Sequence, residues 1–174
     1  MEAAAVLIGA VRTASEPFER IVRDCETQVL RTAYRILGNW ADAEDVAQET
    51  FLKLHRRGTE FENDAVRNAW LYRVAVNLCL DRVRAVKPAE ELTEFRSGEI
   101  SAESSAIRAQ SKEILMAALA RLPAKQRAAV VLREIEGLST AEVAGILGSS
   151  EVTVRSQISA ALTRLRGILD RGER

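Results

Sequence analysis

The chain has 174 residues, 47% of them hydrophobic and 29% charged, enough for one packed domain or two small ones. Its 25 basic and 25 acidic residues cancel, which argues against a protein that grips nucleic acid by bulk positive charge. Either such a polymer is not the main partner, or charge is divided by region and another body supplies much of the grip. Two cysteines, Cys25 and Cys79, and a single histidine give neither a disulfide framework nor a zinc constellation. No phosphate-cradling glycine loop and no cluster of catalytic residue types marks an enzyme, so no catalytic residue, metal or cofactor is expected.

Strand-like alternation is hard to find, proline is rare, and long stretches of Ala, Leu, Glu and Arg favour helix; the fold class expected is all-α. The apolar run at 3–11 is short and follows Glu2 rather than basic residues, unlike a secretory signal, and no segment reaches the length that spans a bilayer. The expectation is a cytoplasmic chain without membrane insertion. Residues 1–14 read as a loose or short helical lead-in. A helix is expected from near Ser15 and Pro17 to Gly38, with Phe18, Ile21, Val22, Cys25, Val29, Ala33, Ile36 and Leu37 at helical spacing. Asn39 or Asp42 can cap the next helix, which runs to about Arg57 and buries Ala43, Val46, Ala47, Thr50, Phe51 and Leu54. Its other face presents Asp42, Asp45, Gln48, Glu49, Leu52 and Arg56. That face is either solvated, with a weak Glu49–Lys53 pair, or a docking surface whose carboxylates and exposed leucine suit a basic partner helix; the residues by themselves favour the solvated reading.

A loop at 58–64 leads to a helical stretch at 65–87, stopped by Pro88. Val66, Trp70, Leu71, Val74, Ala75 and Leu78 form one core face, while Val76, Leu80 and Val83 lie partly elsewhere, so a break near Asn77 is expected. Arg67, Arg73, Arg82, Arg84 and Lys87 face only Asp81, with Trp70 and Tyr72 among them. Basic and aromatic residues together suit melted nucleic acid, whose bases stack on rings, although Trp70 itself reads as core. Residues 88–111 change character: Glu90, Glu91, Glu94, Glu99 and Glu103 meet only Arg96 and Arg108, the composition of an acidic linker.

Helical signals return at Lys112. Ile114, Leu115, Ala118, Leu119 and Leu122 make one stripe, ending at Pro123; Ala128, Val131, Leu132 and Ile135 make another, ending at Gly137. Then GLSTAEVAGILGSSEVTVRSQISAALTRLRG, at 137–167, reads as two helices around a tight turn. Ser139 and Glu142 have the spacing of a capping box, Leu138 and Val143 that of a hydrophobic staple, and Gly148 suits a left-handed stop. Ser149 or Ser150 caps the second helix. Its apolar stripe is Val154, Ile158, Ala161, Leu162, Leu165, Ile168 and Leu169. The opposite side carries the small residues Ser156, Ser159, Ala160 and Thr163, flanked by Arg155, Gln157, Arg164 and Arg166. A small outer face lets a helix sink into a DNA groove while flanking Arg and Gln reach phosphates and base edges, as a helix-turn-helix requires.

Three segments in order, DAEDVAQETFLKLHRR (42–57), AWLYRVAVNLCLDRVR (69–84) and RLPAKQRAAVVLREIEGLSTAEVAGILGSSEVTVRSQI (121–158), resemble the bacterial sigma-70 class, specifically the small extracytoplasmic-function sigma factors with regions two and four only. The resemblance implies two small helical domains, 1–87 and 112–174, joined by the acidic linker 88–111. It implies core RNA polymerase and promoter DNA as partners, and an anti-sigma factor that holds the protein inactive. By the same resemblance Asp45, Gln48, Glu49 and Leu52 dock on polymerase. Asn77, at a position that is a loop residue in the family, helps hold a flipped-out base of the −10 element, with Arg73, Asp81, Arg82 and Arg84 around it. Arg155, Ser156, Gln157, Ser159 and Arg164 meet the −35 element. Gln157, Ser159 and Ala160 stand where the family often has bulkier basic residues, which implies weaker phosphate contact or an unusual −35 preference. A free-standing helix-turn-helix regulator and a protein-only helical adaptor are the alternatives.

Overall fold

The computed structural model describes the backbone of residues 2–85 and 106–172, and side chains within 17–85 and 111–170. Most of the acidic stretch read as a linker lies outside the described residues. All regular elements among the described residues are helical. Helix α1 (Glu2–Leu37) is followed by α2 (Trp40–Arg57) and α3 (Asp64–Ala85). Then come α4 (Ala106–Ala120), α5 (Ala124–Val130), a π-helical turn (Val131–Ile135), α6 (Thr140–Leu147) and α7 (Glu151–Gly172). Two boundaries differ from expectation. Helix α1 runs through Pro17 instead of starting there. Helix α4 begins at Ala106, inside the stretch read as linker, because a run of good helix formers needs no apolar stripe to propagate.

The first three helices form a bundle along the stripes read from the sequence. On α2 the buried residues are Ala43, Val46, Ala47, Thr50, Phe51 and Leu54, the set that the spacing selects. Asn39 caps α2 by accepting the Asp42 N–H at 3.2 Å. Helix α3 departs from expectation: it is one unbroken helix, and Asn77 sits within it rather than at a break. Its apolar residues nearly encircle it because it has neighbours on two sides. It packs on α1 and α2 and also on α5 and α6 of the C-terminal half. Tyr72, Val76, Cys79 and Leu80 are therefore buried, while Val66, read as core, is exposed.

In the C-terminal half the local signals decide the turns. Ser139 and Glu142 close the capping box with bonds of 3.2 and 2.7 Å, and Gly148 ends α6 in the left-handed conformation at φ 60°. Ser150 rather than Ser149 caps α7, its Oγ accepting the Thr153 N–H. Met116, Ala118, Leu119 and Leu122 anchor α4 and its end, leaving Ile114 and Leu115 exposed, and Leu162 and Leu169 at the rim of α7 are also exposed. The two halves share one continuous core, which runs from Ile21 to Leu165.

Candidate functional site

The outer face of α7 is open. Val154, Ala161 and Leu165 are buried, which turns Ser156, Ser159 and Thr163 to solvent along a single line. Arg155 and Arg164 stand beside that line, exposed, with Arg155 3.4 Å from Glu151 one turn earlier. Gln157 does not join them. It is half-buried, and its Oε1 is enclosed with no partner among the described residues. Helical spacing put it on a flank; tertiary packing turns that flank inward. Val152, which the spacing did not single out, continues the outer line toward the start of α7 and is 69% exposed.

On α3, Arg73, Asn77, Asp81 and Arg84 are all exposed and fall at successive helical turns, so they share one face. Arg84 and Asp81 pair at 3.0 Å. Arg82 leaves this group: its guanidinium lies 3.2 Å from Asp42 and 3.4 Å from Asp45, tying α3 to α2. Arg73 donates to the carbonyl of Gly145 on α6, at 2.9 Å. Near the start of α3 the Arg57 guanidinium lies 4.1 Å from the Phe61 ring centroid and 5.5 Å from that of Trp70. Trp70 is thus half-buried in a cation–aromatic stack, neither plain core nor a free platform. Phe61 was missed by the sequence reading; the signal for it was an aromatic residue in an otherwise polar loop. Tyr72, expected beside Trp70, is buried and faces the other half of the molecule.

The candidate docking face on α2 is accessible. Leu52 is 55% exposed, Gln48 is exposed, and Glu49 pairs with Lys53 at 3.4 Å. Gln48 and Leu52 border a groove of about 620 Å³ between α1 and α2, floored by Phe18, Val22 and Phe51. Glu26 and Glu44 add carboxylates to its rim. An apolar floor with acidic edges fits an amphipathic helix that carries basic residues. Cys25 and Cys79 are buried free thiols, and burial raises the pKa of both, Cys79 to about 12, which disfavours the thiolate. Among the described residues no cluster of His, Cys, Asp and Glu could hold a metal, and no helix is long and apolar enough to cross a membrane.

Comparison with known proteins decides what this arrangement belongs to. Residues 21–88 match the family model of sigma-70 region 2, and residues 112–165 that of sigma-70 region 4. The chain is 37% identical over 163 residues to the ECF RNA polymerase sigma factor SigM of Mycobacterium tuberculosis, covering 89% of this chain and 80% of that protein. This chain belongs to the ECF sigma factors. The sigma factor also resembles two solved relatives over both halves. One is CnrH, solved in complex with the cytosolic domain of CnrY, with a TM-score of 0.67 and 27% identity over 94% of this chain and 96% of that one. The other is RpoE of Bartonella quintana, solved with the anti-sigma factor NepR. Its TM-score is 0.72 at 23% identity, covering 88% of this chain and 96% of that one, and this likeness speaks for the fold alone. The sigma factor's two matched regions fall on α1–α3 and on α4–α7.

Proposed function

We propose that this sigma factor joins core RNA polymerase in the cytoplasm, directs it to particular promoters and starts duplex opening, with no catalytic chemistry of its own. The observation that carries the reading is the order of the two sigma regions along one chain, matched over nearly its whole length by SigM. Asp45, Gln48, Glu49 and Leu52 meet the polymerase: an exposed leucine beside carboxylates supplies apolar area and a charge pattern that selects a basic helix. Arg155, Ser156, Ser159 and Arg164 meet the −35 element, with small hydroxyls along the centre of α7 and guanidinium groups at its edges. Gln157 belongs with them only if α7 repacks to release it.

At the −10 element, Asn77 holds an extruded base, with Arg73, Asp81 and Arg84 around it. Extruding a base costs a few kcal/mol of stacking and pairing, so a face that captures it can begin opening without a nucleotide fuel. Arg82 acts there by fixing α3 against α2, since Asp42 and Asp45 already engage it. An anti-sigma factor is the expected repressor, as the family resemblance implies. The test is direct: sigma-free core polymerase is given the purified chain and assayed for promoter-specific transcription. New defined start sites are expected; a chain that neither joins the core enzyme nor changes its start sites overturns the proposal.

A further inference from the structure

The first turn of α7 turns its polar side chains onto the protein itself. Glu151 holds Arg155 at 3.4 Å. The Thr153 hydroxyl lies 2.8 Å from that of Ser150, which also accepts the Thr153 N–H at 3.2 Å. Val154 is fully buried. Val152 remains, and it is 69% exposed, more than any other large apolar side chain among the described residues. It stands on the outermost line of the helix. Positions 152, 156, 159 and 163 are spaced by four, three and four residues, which keeps them within about 60° of one another around the axis. Val154, Ala161 and Leu165 occupy the opposite, buried side. Ser156 and Ser159 give the outer line hydroxyls, while Thr163 turns its own back to the Ser159 carbonyl at 3.0 Å. Folding gains nothing from Val152 there. An exposed β-branched residue loses side-chain freedom in a helix and buries little area in return.

A helix-turn-helix brings the start of its second helix to the base edges in the major groove. Ser156 and Ser159 can donate or accept there, and Arg155 can reach guanine or phosphate. Val152 can do neither. Against a polar base edge it would strip water from donors and acceptors and return no bond, at a cost for each. One group on the major-groove edge of B-DNA suits it, the C5 methyl of thymine. The two methyls of a helical valine are held in one preferred rotamer, so the contact orders little that was free. Four residues of helix rise about 6 Å, close to two base-pair steps of roughly 3.4 Å, so Val152 and Ser156 address different base pairs. We propose that Val152 is a specificity-determining residue that reads a thymine methyl in the −35 element, at a base pair separate from those met by Ser156 and Ser159. The proposal rests on the sigma-factor reading and on α7 as the −35 helix; it adds which chemistry the neutral outer face selects. An apolar reader makes this part of recognition depend on one methyl group instead of on charge.

The methyl can be removed without touching a hydrogen bond, because deoxyuridine differs from thymidine only at C5. Core polymerase carrying the full chain is used to select promoters from duplexes randomised at the −35 and −10 elements. The preferred −35 element is then rebuilt with each thymidine in turn replaced by deoxyuridine. At one position the wild-type holoenzyme should lose about fourfold in initiation rate at subsaturating enzyme, the factor for one methyl group returned to water. Val152→Ala should be insensitive to the same replacement, and Val152→Thr, which keeps one methyl, should fall between. Alanine is the better helix former, so circular dichroism should show no loss of helix in Val152→Ala. Defined start sites with no thymidine in the preferred −35 element, no deoxyuridine effect, or an equal effect in wild type and Val152→Ala overturn the assignment. So does a Val152→Ala variant whose only defect is weaker association with core polymerase, which makes the exposed valine a protein contact. If the chain gives the core enzyme no defined start sites, the sigma reading itself fails and the assignment falls with it.

Discussion

The outer faces of α3 and α7 are built from the same materials but stand in different states. Each lines up short or planar polar groups at successive turns of a long helix, with arginines at hand. The face of α7 is clear, its residues engaged at most within their own helix, as Arg155 is with Glu151. The face of α3 is bordered by the other half of the protein, and Arg73 is spent on Gly145. A helix with neighbours on one side, as α7 has, keeps its opposite face open. A helix between two bodies is buried from two sides and offers a narrower strip. The surface proposed for duplex DNA is therefore ready, whereas the one proposed for the opened strand is partly engaged.

The sharpest way to break this comparison is to ask whether the halves are one body. Leu54→Ala in the first half and Leu132→Ala in the second each empty a site with 0% exposure, and each should cost about 2–5 kcal/mol. If the shared core couples the halves, calorimetry shows one transition that both variants lower; two transitions, each moved by one variant only, dissolve the coupling. The next effect is on promoter reading. Arg155→Ala should cut −35-dependent initiation roughly five- to hundredfold, the range for one lost base contact, and leave capture of the −10 strand unchanged. Asn77→Ala should do the reverse, lowering permanganate reactivity of the opened strand with closed-complex binding intact. Similar loss of both steps in either variant would erase the division of labour between α3 and α7.

Smaller effects sharpen the picture. Glu49→Lys reverses a charge on the accessible face of α2 and should weaken core association roughly tenfold with unchanged circular dichroism; unaltered association would remove Glu49 from the docking face. The least effect is at the cap of α6. Ser139→Ala should cost about 1 kcal/mol. The hydrogen bonds between Glu142 and Ser139 hold the Glu142 carboxyl below its usual range. Its folded value lies below its unfolded one, so the stabilisation is present above the usual carboxylate range and fades as pH falls through the folded value. Thermal midpoints of the wild type should therefore drop more steeply on acidification than those of Ser139→Ala. Parallel curves would show that the box contributes nothing to the acid limb.

Much of the helical scaffold could be read in the chain because its causes are local. The stripe on α2, the Asn39 cap, the Ser139–Glu142 box and the Gly148 stop each depend on residues within a turn or two of one another, where spacing alone dictates the contact. Tertiary structure decided everything that needed a second neighbour. Spacing suggested a break at Asn77; burial of α3 from two sides made it unnecessary. Gln157 read as an outward flank until packing enclosed it, and Arg82, expected beside the −10 element, has Asp42 and Asp45 of α2 opposite it, which no spacing on α3 reports. Glu136 carried no signal at all. Beside Gly137 it reads as one more solvated acid, because Thr32 and Arg35 are over a hundred residues away and Tyr72 sixty-four, and no periodicity reports on partners at that distance. Residue order specifies helices and their caps through short-range sterics and hydrogen bonding, while the fate of a polar side chain is set by whatever the folded chain brings opposite it.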